Sequence, residues 1–325
     1  MWEETSDNLQ TMQLASKCVE QQANWRQTQN HIQYSANFDY QGAMNVLKNV
    51  FTEAPKIAIL REEGSNGDRE MAAAFMMAGF QAYDLTMQDI LEASSHSKDL
   101  LKQFQGIAFV GGFSYGDVLG SAKGWAASIK FNQNVTQMFA EFRSNPKTFS
   151  LGVCNGCQLM TLLGFVGAEP SKEGWSEPNV FLDDNESGRF YSGFNTVRIE
   201  KSNSILLTGM QDAVLGVWCS HGEGKFVYKK PHVFDELLRN GCVSLRYCNN
   251  HGQPTMQYPD NPNGSQECVA GLCSLDGRHL ALMPHPDRSF LSWQWPNYPW
   301  TNEEKSLNSP WMKLFLNAFE WCISQ

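Results

Sequence analysis

In the first half of the chain, apolar positions fall into short unbroken runs separated by amphipathic stretches. Lys56-Ile-Ala-Ile-Leu60, Phe80–Leu85, Gly106–Val110 and the Phe149-to-Val153 run that ends at Cys154 read as strands, since brief apolar runs bounded by turn formers suit a sheet buried on both faces. Between them, Met71, Ala74, Phe75 and Ala78 recur at helical spacing, which predicts a helix from about Asp68 to Ala78 ended by Gly79. A longer helical segment is predicted between Ser121 and Arg143, with Pro146 as its breaker. Strand and helix in alternation imply βαβ units and a parallel sheet.

The second half has a different texture. Short strands are predicted at Phe190–Ile199, Ala213–Ser220, Lys225–Tyr228, Val243–Tyr247 and Cys268–Cys273, with Gly277 turning a hairpin into His279–Met283. A final amphipathic helix runs from about Pro310 to Cys322. The first 54 residues are rich in Gln and Asn. Within them Leu9, Met12, Ala15, Val19 and Ala23 mark one amphipathic helix, capped by Thr5 or Ser6, whose apolar stripe needs a surface to pack on. From about Asn37 to Pro55 the pattern weakens into a linker. The expected division is a helical tail with linker over 1–54 and one main domain over 55–325.

Composition narrows the function classes. A net charge of −9 argues against general binding to nucleic acid or an anionic membrane, either of which needs a basic face. No apolar run approaches the ~18–20 residues of a membrane span, and the acidic start is unlike a signal peptide. A cytoplasmic location follows as the expectation. Nine cysteines spread over 325 residues read as reduced thiols and not as a disulfide framework.

The strongest chemical signal is T-F-S-L-G-V-C-N-G-C-Q-L, Thr148 to Leu159. A strand hands over to a helix at Cys154, with Gly152 and Gly156 two residues to either side. This is the nucleophile-elbow arrangement, in which small residues are needed where the backbone turns sharply. A helix N-terminus lowers a thiol pKa by at most about 1.5 units, so a histidine held by a carboxylate is the expected activator. Among seven histidines His285 is best placed, because it ends the apolar strand His279–Met283. Pro284 and Pro286 keep that segment extended, so that His285 and Asp287 project to one side. Taken alone, the segment reads equally well as a strand end turned by prolines. Gly64–Gly67, Gly111–Asp117 and Cys154 all follow strands, which puts three loops on one rim of the sheet; Gly64–Asp68 reads equally as a simple helix-capping turn.

The order Cys154, His285, Asp287, with G-x-C-x-G-x-Q matched by Gly152, Cys154, Gly156 and Gln158, resembles the class I (triad) glutamine amidotransferases. Leu60–Met71, Phe109–Trp125, His221–Gly224, Asn261–Ser265 and L-M-P-H-P-D-R extend the likeness, from about Pro55 onward, to the C-terminal glutaminase domains of the phosphoribosylformylglycinamidine synthase family. Trp2–Ser6 looks like the last helix of the preceding synthetase domain in that family, so the helix within 1–54 would have lost its packing partner.

The resemblance implies an open, mostly parallel α/β sheet of flavodoxin-like type, flanked by helices, with an added antiparallel portion. It also implies that Cys154 attacks the amide of glutamine, His285 moves the proton and Asp287 orients His285. Oxyanion donors would be the N–H groups of Asn155 and of Gly111 or Gly112. Gln158 and the backbone of Ser220, His221 and Gly222 would hold the substrate. Ammonia would pass to a synthetase half using ATP and Mg²⁺, neither of which this chain would bind. One departure stands out: the family usually has H-P-E, and this chain has Asp287, shorter by one methylene.

Other readings stay open: a catalytically weak amidotransferase-like structural module, or a small thiol hydrolase. Cys154-Asn-Gly-Cys157 could be a redox pair or half a zinc site, but no second C-x-x-C accompanies it, and no metal site is expected. The chain has no phosphate loop of the G-x-x-x-x-G-K-[ST] type. The tryptophans between Trp293 and Trp300 suit core packing or a docking surface better than base stacking.

Overall fold

The computed structural model describes residues 4–27, 32–40, 54–167, 177–300 and 307–325. In chain order the helices are α1 (Glu4–Thr11), α2 (Ser16–Gln27), α3 (Asp68–Met77), α4 (Met87–His96), α5 (Lys123–Lys130), α6 (Gln133–Ser144), α7 (Asn155–Leu162), α8 (His232–Arg239) and α9 (Met312–Ile323). The strands are β1 (Lys56–Arg61), β2 (Gln81–Thr86), β3 (Gly106–Phe109), β4 (Phe149–Val153), β5 (Val180–Asp183), β6 (Tyr191–Ile199), β7 (Val214–His221), β8 (Lys225–Tyr228), β9 (Val243–Tyr247), β10 (Val269–Cys273) and β11 (His279–Leu282).

One nine-stranded sheet dominates, in the order β2-β1-β3-β4-β11-β10-β9-β6-β7, and β5 pairs with β8 apart from it. The strands from β2 to β11 are parallel; from β11 to β7 each pairing is antiparallel. The antiparallel strands expected in the second half thus continue the parallel sheet. The fully buried runs of β3, β4 and β11 occupy its middle, while polar β2 (Q-A-Y-D-L-T) forms an edge, where solvent reaches Gln81, Tyr83 and Asp84. Gly106 pairs with Phe149 and Phe109 with Gly152, so Phe149 and Phe109 face opposite sides of the sheet. On one side, Phe75 of α3 meets Phe80 and Phe315 of α9 at ring separations of 5.2 and 5.0 Å. On the other, Phe109 meets Trp125 of α5 and Phe139 of α6 at 6.2 and 6.0 Å.

The sheet curls. Although β7 is the far edge, its Trp218 pairs with His285, just beyond β11, through a 2.7 Å bond from His285 N–H to Trp218 C=O. That closure brings the end of β7 over the end of β4.

Three expectations need correction. The segment Ser121–Arg143 is two helices, because Asn132 between them turns its side chain to accept the Val135 N–H at 3.2 Å and caps α6. The amino-terminal helix is also two, and Thr5 and Ser6 lie within α1. Its predicted stripe is not the packed face: Leu9 and Met12 are exposed and Cys18 is buried. The break falls where Ala15 N–H donates to Ser187 C=O of the main domain at 3.1 Å, a tertiary bond in place of a helical one. The tail therefore does have a partner in this chain. Finally, Pro286–Arg288 forms a tight 3₁₀ turn, not an extended run, since Arg288 N–H bonds to His285 C=O.

Residues 32–40 strap the domain's edge. Ser35 exchanges hydrogen bonds with Val214 of β7, and Tyr34 packs edge-on to buried Trp295 at 5.4 Å. Trp295 and Trp300 thus serve packing, whereas Trp293 is exposed. The linker expected up to Pro55 falls largely on residues 41–53, outside the described ones.

Candidate active site

Cys154 sits between β4 and α7 with φ +53° and ψ −107°, a conformation that costs a non-glycine residue energy and has to be imposed by its surroundings. The sequence supplies that imposition. A Cβ on Gly156 would lie 2.0 Å from the Phe109 carbonyl oxygen, so only glycine lets α7 start this close to β3. The Cys154 N–H donates to Leu282 C=O of β11 at 2.8 Å, locking the elbow to the strand that carries the histidine. The thiol is largely buried, and its Sγ lies 3.3 Å from Ser220 C=O.

β11 lies parallel to β4, Leu282 beside Val153, and so delivers His285 to the same rim. Its Nδ1 lies 3.2 Å from Asp287 Oδ1, and both residues are essentially inaccessible to solvent. Burial opposes protonation of this imidazole, but Asp287's charge and hydrogen bond, with a smaller contribution from Cys154, outweigh it and raise the pKa from 6.5 to about 9. His285 Nε2 and Asp287 Oδ2 are buried without hydrogen-bond partners. The thiol's own hydrogen bond goes to Ser220 C=O, while the nearby sulfur also favours the protonated imidazole. Gly111 fills the remaining corner: a Cβ there would stand 2.9 Å from His285 Cε1 and 3.4 Å from Cys154 Cβ.

The loops expected on this rim are all there. Asn66 and Gly67 N–H donate to Gly111 C=O at 3.0 and 3.1 Å, and Gly112, at φ +143°, packs against Ser65. The buried Asn155 side chain accepts the Ser114 N–H at 3.2 Å and donates to Gln158 Oε1 at 3.0 Å. The Gln158 amide in turn donates to Glu223 C=O.

Ser220 therefore meets the thiol through its backbone. The His221 side chain does not: its nitrogens lie 3.2 Å from Asn185 Oδ1 and 3.4 Å from Asn263 Nδ2. Burial, reinforced by the charge of His285, lowers its pKa to about 3 and keeps it neutral. Gly222 C=O accepts the Asn185 N–H at 2.9 Å. Sequence reasoning missed Asn185, and the Glu223 carboxylate, which accepts the Ser121 N–H at 3.0 and 3.1 Å. Asn185 had no signal beyond its place in a polar loop, whereas Glu223 stands inside the His221–Gly224 motif.

Cys157 points into the core, where burial pushes its pKa far up. Among the described residues, no three His, Cys, Asp or Glu side chains are grouped to hold a metal ion. A cavity of about 500 Å³ bordered by Arg143, Phe165, Arg278 and His279 lies at the opposite ends of the strands and takes no part in this geometry.

A thiol elbow and a carboxylate-held histidine thus stand together at the carboxyl rim of a parallel sheet in an α/β protein. Residues 54–322 match the family described as CobB/CobQ-like glutamine amidotransferase domain, and the chain belongs to that family. It is 50% identical over 337 residues to the probable phosphoribosylformylglycinamidine synthase of Caenorhabditis elegans, covering 99% of this chain and 25% of that protein. To the Homo sapiens phosphoribosylformylglycinamidine synthase it is 44% identical over 331 residues, covering 99% and 24%. The chain thus spans about a quarter of the length of these curated relatives. PurLQS from Thermotoga maritima matches with a TM-score of 0.60 at 21% identity, covering 83% of this chain and 99% of that one, and so shares the fold.

Proposed function

We propose that this chain is the glutaminase part of a phosphoribosylformylglycinamidine synthase, releasing ammonia from glutamine for the ATP-dependent conversion of formylglycinamide ribonucleotide to formylglycinamidine ribonucleotide in purine biosynthesis. The observation that carries the chemistry is His285, with Nδ1 held by Asp287 and Nε2 bare beside the elbow thiol. Near-complete coverage by relatives of that name supports the pathway.

In this reading Cys154 attacks the side-chain amide carbon of glutamine as the thiolate. The oxyanion is received by the N–H of Asn155 and of Gly111 or Gly112, donors typically worth ~3–4 kcal/mol each. The C–N bond then breaks, and the proton on His285 Nε2 goes to the departing ammonia. Water, deprotonated by the now neutral imidazole, cleaves the glutamyl thioester to glutamate and free thiol. Gln158 and the backbone of Ser220–Gly222 hold the substrate. The synthetase portion, with its ATP and Mg²⁺, is the partner that consumes the ammonia, and this chain binds neither cofactor. We assign the chain to the cytoplasm, a reading supported by its nine free thiols; no helix among the described residues is long and apolar enough to cross a membrane.

A second reading, a weakly catalytic structural module, is favoured by two observations: Asp287 Oδ2 has no partner and its Oδ1 contact is long. Glutamate release from glutamine decides between them. The proposal expects turnover that Cys154→Ser abolishes; a wild-type rate no greater than that of Cys154→Ser favours the module.

A further inference from the structure

The loop 184–189 grips the end of β7. Asn185 is 3% exposed and makes most of its hydrogen bonds to that end of β7 and the residues just after it. Its N–H donates to Gly222 C=O at 2.9 Å, and its side-chain Nδ2 donates to His221 C=O at 2.8 Å and to Arg189 C=O at 2.9 Å. Its Oδ1 lies 3.2 Å from His221 Nδ1 and accepts the Gly224 N–H at 3.1 Å. The stretch so held lies between two groups of the site, Ser220 C=O beside the Cys154 thiol and Glu223 C=O on the Gln158 amide.

The same loop is the dock for the amino-terminal helices. Ala15 N–H donates to Ser187 C=O at 3.1 Å, Lys17 pairs with Glu186 at 2.7 Å, and Arg189 bonds to Gln13. Glu186 N–H donates to Asn263 C=O at 3.0 Å, and the Asn263 side chain meets the other nitrogen of His221. Further along α2, Gln21 accepts the Tyr258 N–H at 3.0 Å and Trp25 donates to Asp260 at 2.8 Å.

We propose that Asn185 is a positioning residue for glutamine, setting the backbone of His221–Gly224, and that docking of α1 and α2 on its loop tunes glutamine binding at a site those helices never touch. The inference rests on the glutaminase reading above. A buried asparagine with all partners satisfied holds two backbone segments in one register, and truncating it leaves the His221 C=O and Gly224 N–H without the bonds that fix them. Linkage makes the second half reciprocal: if docking favours glutamine, bound glutamine favours docking.

The test uses the full 325-residue chain and two probes of Cys154. Iodoacetamide reads thiol reactivity alone; glutamine turnover reads binding. Asn185→Ala is expected to raise KM at least tenfold with a smaller change in kcat. Ala15→Pro, which removes the N–H given to Ser187 and stiffens the turn between α1 and α2, is expected to raise KM severalfold while alkylation by iodoacetamide stays within twofold of wild type. Asn185→Asp, lacking both side-chain donors, should resemble the alanine variant, and its thermal melt reports whether the fold survives. Both KM values within twofold of wild type overturn the proposal; so does a parallel loss of alkylation and turnover, which marks the loop as merely structural. A wild-type chain that neither hydrolyses glutamine nor reacts with a diazo-ketone analogue refutes the glutaminase reading itself, and this inference with it.

Discussion

His285 Nδ1 and Asp287 Oδ1 are 3.2 Å apart, at the outer limit of a hydrogen bond and well beyond the ~2.7–2.9 Å of charge-assisted pairs. The second carboxylate oxygen is buried with no partner. The aspartate thus meets its histidine through one oxygen, at long range.

A longer carboxylate should close that gap. Asp287→Glu is expected to raise kcat for glutamine hydrolysis severalfold with little change in KM, read from initial rates of glutamate release. An unchanged or lower kcat counts against a suboptimal acid.

The imidazole's pKa of about 9 fixes a pH dependence with a definite sign. The proton needed by the leaving ammonia is lost as pH rises through about 9, so kcat falls on the alkaline side. Asp287→Asn removes the charge that holds the proton, moving that limb toward acid and lowering kcat by roughly 10²–10⁴. For stability, a folded pKa raised above 6.5 contributes fully below 6.5 and is lost as pH rises through about 9. The melting temperature of Asp287→Asn should therefore approach that of wild type only on the alkaline side. A constant difference across the range would assign Asp287 a purely structural part.

The elbow depends on a missing side chain. Gly156→Ala places a methyl 2.0 Å from a backbone oxygen, contact that neither α7 nor β3 can relieve by a rotamer change. About 2–3 kcal/mol of destabilisation is expected from such overpacking, seen in urea titrations, together with loss of glutaminase activity. Wild-type stability in this variant would show that α7 does not need its close approach to β3.

Much of this site was legible because its chemistry is local. Gly152, Cys154 and Gly156 announce a turn that only glycine permits, and His285 and Asp287 follow an apolar strand by a fixed spacing. Asn185 was invisible for the opposite reason: it acts by joining its own loop to residues some forty positions away, at His221 and Gly224, and nothing in D-N-E-S-G names those partners. The break between α1 and α2 likewise depends on Ser187, a tertiary acceptor that outbids the helix. Two omissions were avoidable. Thr86 and Asp89 form a reciprocal capping box that announces α4, and α8 follows a proline with strong amphipathic spacing.

Asp260 tests the docking of α2. Burial raises its pKa to about 6, against the hydrogen bond from Trp25 that lowers it. A carboxyl raised in the folded state stabilises the protein as pH falls from about 6 toward 3.8 and costs stability above that window. Asp260→Asn keeps an oxygen for Trp25 and loses the charge, so at neutral pH it should stabilise by about 1 kcal/mol after allowance for solvent screening, with the gain vanishing in acid. Destabilisation at neutral pH would mean that the charge itself holds the helix.

The most direct measurement is peptide mapping by mass spectrometry after exposure of the chain to a diazo-ketone analogue of glutamine. One adduct is predicted, on Cys154, formed more slowly when glutamine is present and absent from His285→Ala. An unmodified Cys154, or labelling spread over other cysteines that glutamine does not protect, would contradict the assignment of Cys154, His285 and Asp287 as a glutamine-hydrolysing site.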